Sequence, residues 1–264
     1  MNYARFMNYA RLLPWFGILI CLLLIPVSDM HAQPILEHGA EHRLQLSWQV
    51  NDGALAKLLP YEWTANIAAD GAAKDVNLRL VLIERIAVTD RFNRPIGKSF
   101  NRQAYLAIPV SGPAGANGQM IIAGLTSSQL EADGNFRGFK VTDNFKVSQS
   151  SEHDGERQLR EEHWSLAAAS GERIEVHIKF EAQFNPRTPA TEVRFYDPKA
   201  PTTYQSHRVE QIIDQVRNGP LAIDRVSEIS VKVAGGSFQS LFDGSEKLLS
   251  IDSIPWASHM ISAP

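Results

Sequence analysis

The chain has 264 residues, 44% of them hydrophobic and 21% charged, with a net charge of −3 and a single cysteine. That length can bury a substantial core, so the fold needs no covalent staples. The acidic balance offers no basic stripe for phosphates, which removes nucleic acid from the expected partners, and the lone Cys21 excludes a disulfide framework.

The first element is the apolar run from Leu12 to Val27, placed behind Arg5 and Arg11. Its sixteen residues would rise only about 24 Å as a helix, short of a bilayer core of about 30 Å, and Pro14 and Pro26 interrupt it. Followed by Ser28-Asp29-Met30-His31-Ala32, it has the layout of a secretory signal peptide cleaved after Ala32. The expectation is a leader over 1–32 and one domain over 33–264, periplasmic or secreted. A membrane contact arises only through the leader, if it stays uncleaved. Because Cys21 lies in the leader, the rest of the chain has no thiol nucleophile or thiolate metal ligand.

Beyond the leader, alternation of period two dominates. Strands are expected at 43–50, 76–89, 103–110, 119–125, 136–148, 158–168, 174–180, 191–196 and 227–233. The clearest is Ile174, Val176, Ile178 and Phe180 alternating with Glu175, His177, Lys179 and Glu181. Gly- and Pro-rich turns such as Ser111-Gly112-Pro113 and His153-Asp154-Gly155 separate them. Two helices are expected: Gly53 to Leu59, stopped by Pro60, and a second carried by Val209, Ile212, Ile213 and Val216 at helical spacing, ended by Asn218-Gly219-Pro220. In the C-terminal segment, Phe238, Leu241, Phe242 and Trp256 are expected to plug one end of the fold. The pattern predicts a mainly β (α+β) protein: an antiparallel closed or nearly closed β-barrel with a few short helices, of the kind that encloses a small-ligand cavity.

Several catalytic signatures are missing. His38-Gly-Ala-Glu-His42 lacks the His-Glu-x-x-His order and reads as a loop, while His163, His177 and the Glu161/Glu162 pair read as wet surface. There is no Gly-x-Ser-x-Gly elbow and no Gly-rich phosphate loop, so neither a metal nor a cofactor is expected. Arg79, Glu84 and Arg85 could either point charge into a cavity or form a surface cluster.

Three short motifs stand in a telling order: Leu58-Leu59-Pro60, then Phe100 to Val110 ending in Ile-Pro-Val, then Gly134-Asn-Phe-Arg-Gly-Phe-Lys140. This order resembles the acetoacetate decarboxylase-like superfamily over residues 55–185. There, a Leu-Pro element leads into a barrel, a Tyr-x-Glu strand ends in Val-Pro-Val, and a Gly-Phe/Tyr-Pro-Lys-Lys segment carries the Schiff-base lysine. The resemblance makes Lys140 the lysine candidate, with Lys146 a second candidate on the same strand face. It puts Gln103 where the family has its acid, and Val141 where it has the second lysine. Gln103, Arg79, Tyr105 and Arg137 become candidate ligand contacts. A lysine attacks a ketone only when neutral, and a free one, with a pKa of about 10.4, is charged at pH 7. The neighbour that would discharge it is absent. The favoured expectation is a barrel that binds a small apolar or carboxylate ligand without the full decarboxylase machinery. The alternative is a Schiff-base lyase acting on a small keto acid. A homo-oligomer is compatible with either.

Overall fold

In the computed structural model, residues 35–133 and 136–263 are described. The expected leader, with Cys21, lies outside the described residues, as does Gly134. In chain order the elements are β1 (Ile35–Gln49), α1 (Asp52–Ala56), β2 (Thr64–Ala65), β3 (Leu78–Thr89), β4 (Asn101–Ser111), β5 (Asn117–Thr126), α2 (Gln129–Asp133), β6 (Lys140–Val141), β7 (Asn144–Asp154), β8 (Arg157–Ala167), β9 (Arg173–Ala182), β10 (Thr191–Asp197), β11 (Ala200–Asn218), β12 (Ile223–Asp224), β13 (Val226–Ala234) and β14 (Lys247–Ser262).

Seven strands in the order β4-β3-β1-β14-β11-β10-β5 close into a barrel through the β4–β5 pairing. A second sheet, β13-β9-β8-β7, lies against its outer wall. Alternation decides which residue faces which layer. On β3, Leu78, Leu80 and Leu82 point outward and pack with Trp164, Leu166, Val176, Ile178 and Phe180 of the second sheet. Arg79, Val81, Ile83 and Arg85 therefore face the barrel lumen. Likewise Leu44, Leu46 and Trp48 join the outer core, while Arg43, Gln45 and Ser47 line the inside. Each large apolar side chain buried between the layers stabilises the fold by about 1.5–3 kcal/mol.

The barrel is mixed, not purely antiparallel: β10 and β5 run parallel, joined at Phe195–Gln119 and Tyr196–Met120. Gly118 stands beside this seam, and a Cβ there would lie 2.3 Å from the carbonyl oxygen of Arg194. Only glycine lets the two backbones approach so closely.

Four expectations change. The segment expected as a helix at 209–216 is part of β11, because register shifts at Ile212/Asp214 and Gln215/Arg217 move the alternation by one residue. Val209 and Ile213 then cluster with Ile254 and Ala257, whereas Val216 joins the outer core, and this change of face mimics helical spacing. The segment 136–148 is not one strand: residues 136–138 turn, and β6 and β7 belong to different sheets. His38 and His42 sit in β1 rather than in a loop. Phe238 and Leu241 fill the outer core instead of plugging the barrel, and the C-terminal strand β14 is central to the ring, between β1 and β11. Pro255, which has no N–H to donate, sits where both ladders of β14 shift register. The first helix appears as α1, capped by the Asn51 side chain on the Ala54 N–H and ending at Ala56.

A charged lumen as the candidate functional site

Strand register stacks the lumen side chains in rows. Glu41 stands beside Arg85 and Asn101; Arg43 beside Ile83 and Gln103; Gln45 beside Val81 and Tyr105; Ser47 beside Arg79 and Ala107. β14 completes these rows with Asp252 next to Gln45 and His259 next to Gly39.

At one end the rows build a dry ion cluster. Arg85 is 1% exposed and its guanidinium reaches three carboxylates: Glu37, Glu41 at 3.3 Å and Glu131 at 3.0 Å. His259 lies 3.1 Å from Glu37 and 2.9 Å from Glu41, and Arg43 pairs with Glu41 at 2.6 Å. Burial alone would raise the Glu41 carboxyl, yet Arg43, His259 and Arg85 outweigh it and hold it well below the usual range. Burial raises Glu131 despite Arg85 beside it. Burial opposes charge on His259, but the glutamates Glu41 and Glu37 raise its pKa overall, which favours the imidazolium. Its neighbour His207, buried and facing the cations of His259 and Arg43, is driven well below normal and stays neutral.

Rings cover this end. Phe195 packs on His207 at 4.4 Å between centroids and on Tyr105 at 6.0 Å, while Phe139 lies 6.4 Å from Tyr105. Phe136 stands under the Arg85 guanidinium at 5.3 Å. Gly124 makes room for this lid, since a Cβ there would fall 2.4 Å from the Phe139 ring. Outside the rings runs a groove of about 560 Å³ lined by Leu36, Ile121, Phe139, Phe195, Lys199 and Tyr204.

Farther along the lumen the charges are not matched. Arg79 is partly buried, its Nε is wholly buried without a hydrogen-bond partner, and it makes no ion pair among the described residues. Burial lowers its pKa, with Tyr105 and Asp252 acting in the opposite direction. The Asp252 carboxylate accepts from Gln45 at 3.1 Å and Gln215 at 3.4 Å. The buried Gln103 Nε2 and Gln119 Oε1 also lack partners.

Of the residues expected from sequence, Arg79, Gln103 and Tyr105 all face the lumen from neighbouring strands; Tyr105 lies in the row next to Arg79, whereas Gln103 stands farther along, in the row of Arg43. Arg137 is exposed at the rim of the outer groove. The two lysines are separated. Lys140, on β6, is 48% exposed and its ammonium donates to Glu172; Lys146, on β7 of the second sheet, is exposed. Burial raises the Glu172 carboxyl, but hydrogen bonds from Lys140 and Ser170 prevail and bring it to about 2. The Glu161/Glu162 pair also divides: Glu161 meets His177 at the surface, while Glu162 is 2% exposed and bonds to Trp164 and Ser253.

Sequence reasoning missed Glu37, Glu41, Arg43, His207, Asp252 and His259. The signal was present in β1, whose Arg43, Gln45 and Ser47 alternate with Leu44, Leu46 and Trp48. A polar face of that kind is ordinarily read as solvent, and only ring closure turns it inward.

Neither protein-family models nor curated protein sequences match the chain. Solved structures do. An acetoacetate decarboxylase-like enzyme from Sphingomonas wittichii RW1 superposes with a TM-score of 0.54 at 13% identity, over 86% of this chain and 91% of that one. The enduracididine biosynthesis enzyme MppR, complexed with pyruvate, gives 0.51 at 11% identity, over 90% and 91%. MppR with HEPES buffer bound gives 0.52 at 9% identity, over 88% and 86%.

This chain has the acetoacetate decarboxylase-like fold. Gln103 stands on a lumen-facing position of β4 and is 1% exposed.

Asp252 gives this lumen a pH signature. Burial raises its carboxyl to about 6, against weaker lowering by Gln215, Gln45 and Arg79. Between pH 4 and pH 6 the folded state holds a proton that the unfolded chain has released, so stability falls as pH rises, and the penalty is complete above pH 6. Asp252→Asn should flatten that slope. It should also stabilise the protein at pH 8 by about 3 kcal/mol, with little change at pH 4, as read by urea unfolding at both pH values.

Proposed function

We propose that this protein is an exported binding protein for a small carboxylate, such as a keto acid, held in the barrel lumen with Arg79 as its anchor. One observation carries the reading: Arg43 and Arg85 have carboxylate partners, whereas Arg79 pairs with no carboxylate among the described residues, and its buried Nε–H has no hydrogen-bond partner. An unpaired guanidinium in a low-dielectric lumen is costly to the fold, and a planar carboxylate matches its fork. Tyr105 and Gln103 supply further polar groups on the same wall, and the similar MppR was solved with pyruvate. Export rests on the apolar run of residues 12–27 behind Arg5 and Arg11. No observation favours the Schiff-base alternative, because Lys140 is committed to Glu172 and Lys146 faces water.

Calorimetric titration with pyruvate tests the proposal. Arg79→Met should weaken binding at least about 30-fold, as when one side of a buried charge pair is removed. The same change should leave the melting temperature unchanged or higher, because an unpaired buried charge has been taken away. Wild-type affinity should tighten as pH falls through 6, where Asp252 becomes neutral and stops competing for Arg79. Unaltered affinity in Arg79→Met would refute the anchor. A borohydride-trapped acetoacetate adduct on Lys140 or Lys146 would overturn the binding-only reading.

A further inference from the structure

Strand β7 forms one edge of the second sheet, and among the described residues it pairs only with β8. Its ladder runs without a register shift from Asn144↔Ala167 to Asp154↔Arg157. It contains no proline, and residues 148–154 are all exposed. A long, regular, exposed edge is one that proteins ordinarily break with a bulge or a proline.

The hairpin fixes which backbone groups that edge offers. Gly155 (φ 64°) and Glu156 form a two-residue turn with glycine first, of type II′. Asp154 and Arg157 are then a hydrogen-bonded pair, so the even-numbered residues of β7 spend their N–H and C=O groups on β8. The odd-numbered residues, Phe145 through His153, present theirs to the free side.

The strand is complementary to its own reverse. Turned antiparallel about Gln149, Lys146 faces Glu152, Ser148 faces Ser150 and Asn144 faces Asp154. These even positions are the non-hydrogen-bonded pairs, in which side chains approach most closely. The same register sets Phe145 against His153 and Val147 against Ser151, and it pairs the whole strand end to end. A shift of one residue would oppose odd to even positions and leave the free backbone groups unmatched. We propose that a second copy of this chain pairs along β7, across a two-fold axis at Gln149, joining two four-stranded sheets into one of eight. The opposite edge, β13, is the poorer template. Its ladder has a register shift between Val226 and Glu228, and Glu228 is already engaged by Lys179 at 3.1 Å and His177 at 3.4 Å. A two-fold contact closes on itself, so the product is a dimer and not a filament.

The test is the solution mass of the full purified chain by sedimentation, with charge reversal as the probe. The wild type should be dimeric. Lys146→Glu should weaken the dimer at least about tenfold, since it sets like charges opposite each other twice per interface. Lys146→Glu combined with Glu152→Lys should restore it. In a Cys21→Ser background, Ser148→Cys with Ser150→Cys should give an oxidised dimer that survives denaturant. A monomer at every concentration, a dimer indifferent to Lys146→Glu, cross-linking through Ser230→Cys on β13 instead, or open-ended assembly would each overturn the proposal.

Discussion

Arg85→Met is expected to cost about 3–5 kcal/mol of folding stability at pH 8, the usual penalty for removing one partner from a buried ion network. The guanidinium is the hub of the cluster: Glu37, Glu41 and Glu131 all converge on it, and its side chain is fully shielded from water. Without it, Arg43 and His259 face three carboxylates crowded in a dry space. Their pKa values must then rise, so protonation relieves part of the repulsion and the deficit should shrink between pH 8 and pH 5. Adding Glu37→Gln and Glu131→Gln should recover much of the loss, because the cost lies in the stranded charges and not in a missing contact. Urea unfolding at both pH values reads both variants. A wild-type midpoint for Arg85→Met at pH 8 would show that the cluster is not coupled as its geometry demands.

Trp164→Ala should be comparably severe, at about 3–5 kcal/mol. Trp164 is wholly buried between the second sheet and the barrel. One face stacks on His42 at 5.6 Å with the planes 13° apart, and its indole N–H donates to Glu162 at 3.0 Å. Truncation opens a cavity and also takes a donor from a buried carboxylate. Trp164→Phe separates the two effects: it keeps a ring against His42 and loses the N–H, so about 1–3 kcal/mol should disappear. If both variants unfold at the same denaturant concentration, the hydrogen bond and not the packing is the dominant part.

These two residues mark what the sequence discloses and what it conceals. The second sheet was readable because its apolar residues alternate with charge: Val176 and Ile178 with Glu175, His177 and Lys179. The lumen was less so. Strand β1 presents Glu41, Arg43 and Gln45 in a pattern identical to that of a strand facing water, and nothing local distinguishes a solvent face from the inside of a ring. Gln103 and Tyr105 could be nominated because a family likeness pointed to the strand that carries them, and Arg79 because it sits on the polar side of the alternating strand 76–89. His259 and Asp252 sit on β14, near Pro255, which locally argues against a central strand. The β11 bulges hid a strand as a helix, because a phase shift between Val209 and Val216 reproduces a spacing of three and four. Lys140 and Lys146 are separated at Thr142 and Asp143, where the chain leaves β6, paired to β5, for β7 of the second sheet, a long-range pairing absent from the local pattern.

The ring is not equally strong at every joint. Long antiparallel ladders hold most of it, but β10 meets β5 at only two bridged pairs, and it does so beside the apolar groove. Thermal opening starts where least must be undone, so this clasp is the barrel's natural door. Its frame is largely apolar, with Phe195 in it and His207 and Tyr105 packed against that ring. Amide exchange along Phe195 and Tyr196 should therefore outpace that of β1, and whatever enters the barrel would pass an oily threshold before meeting charge.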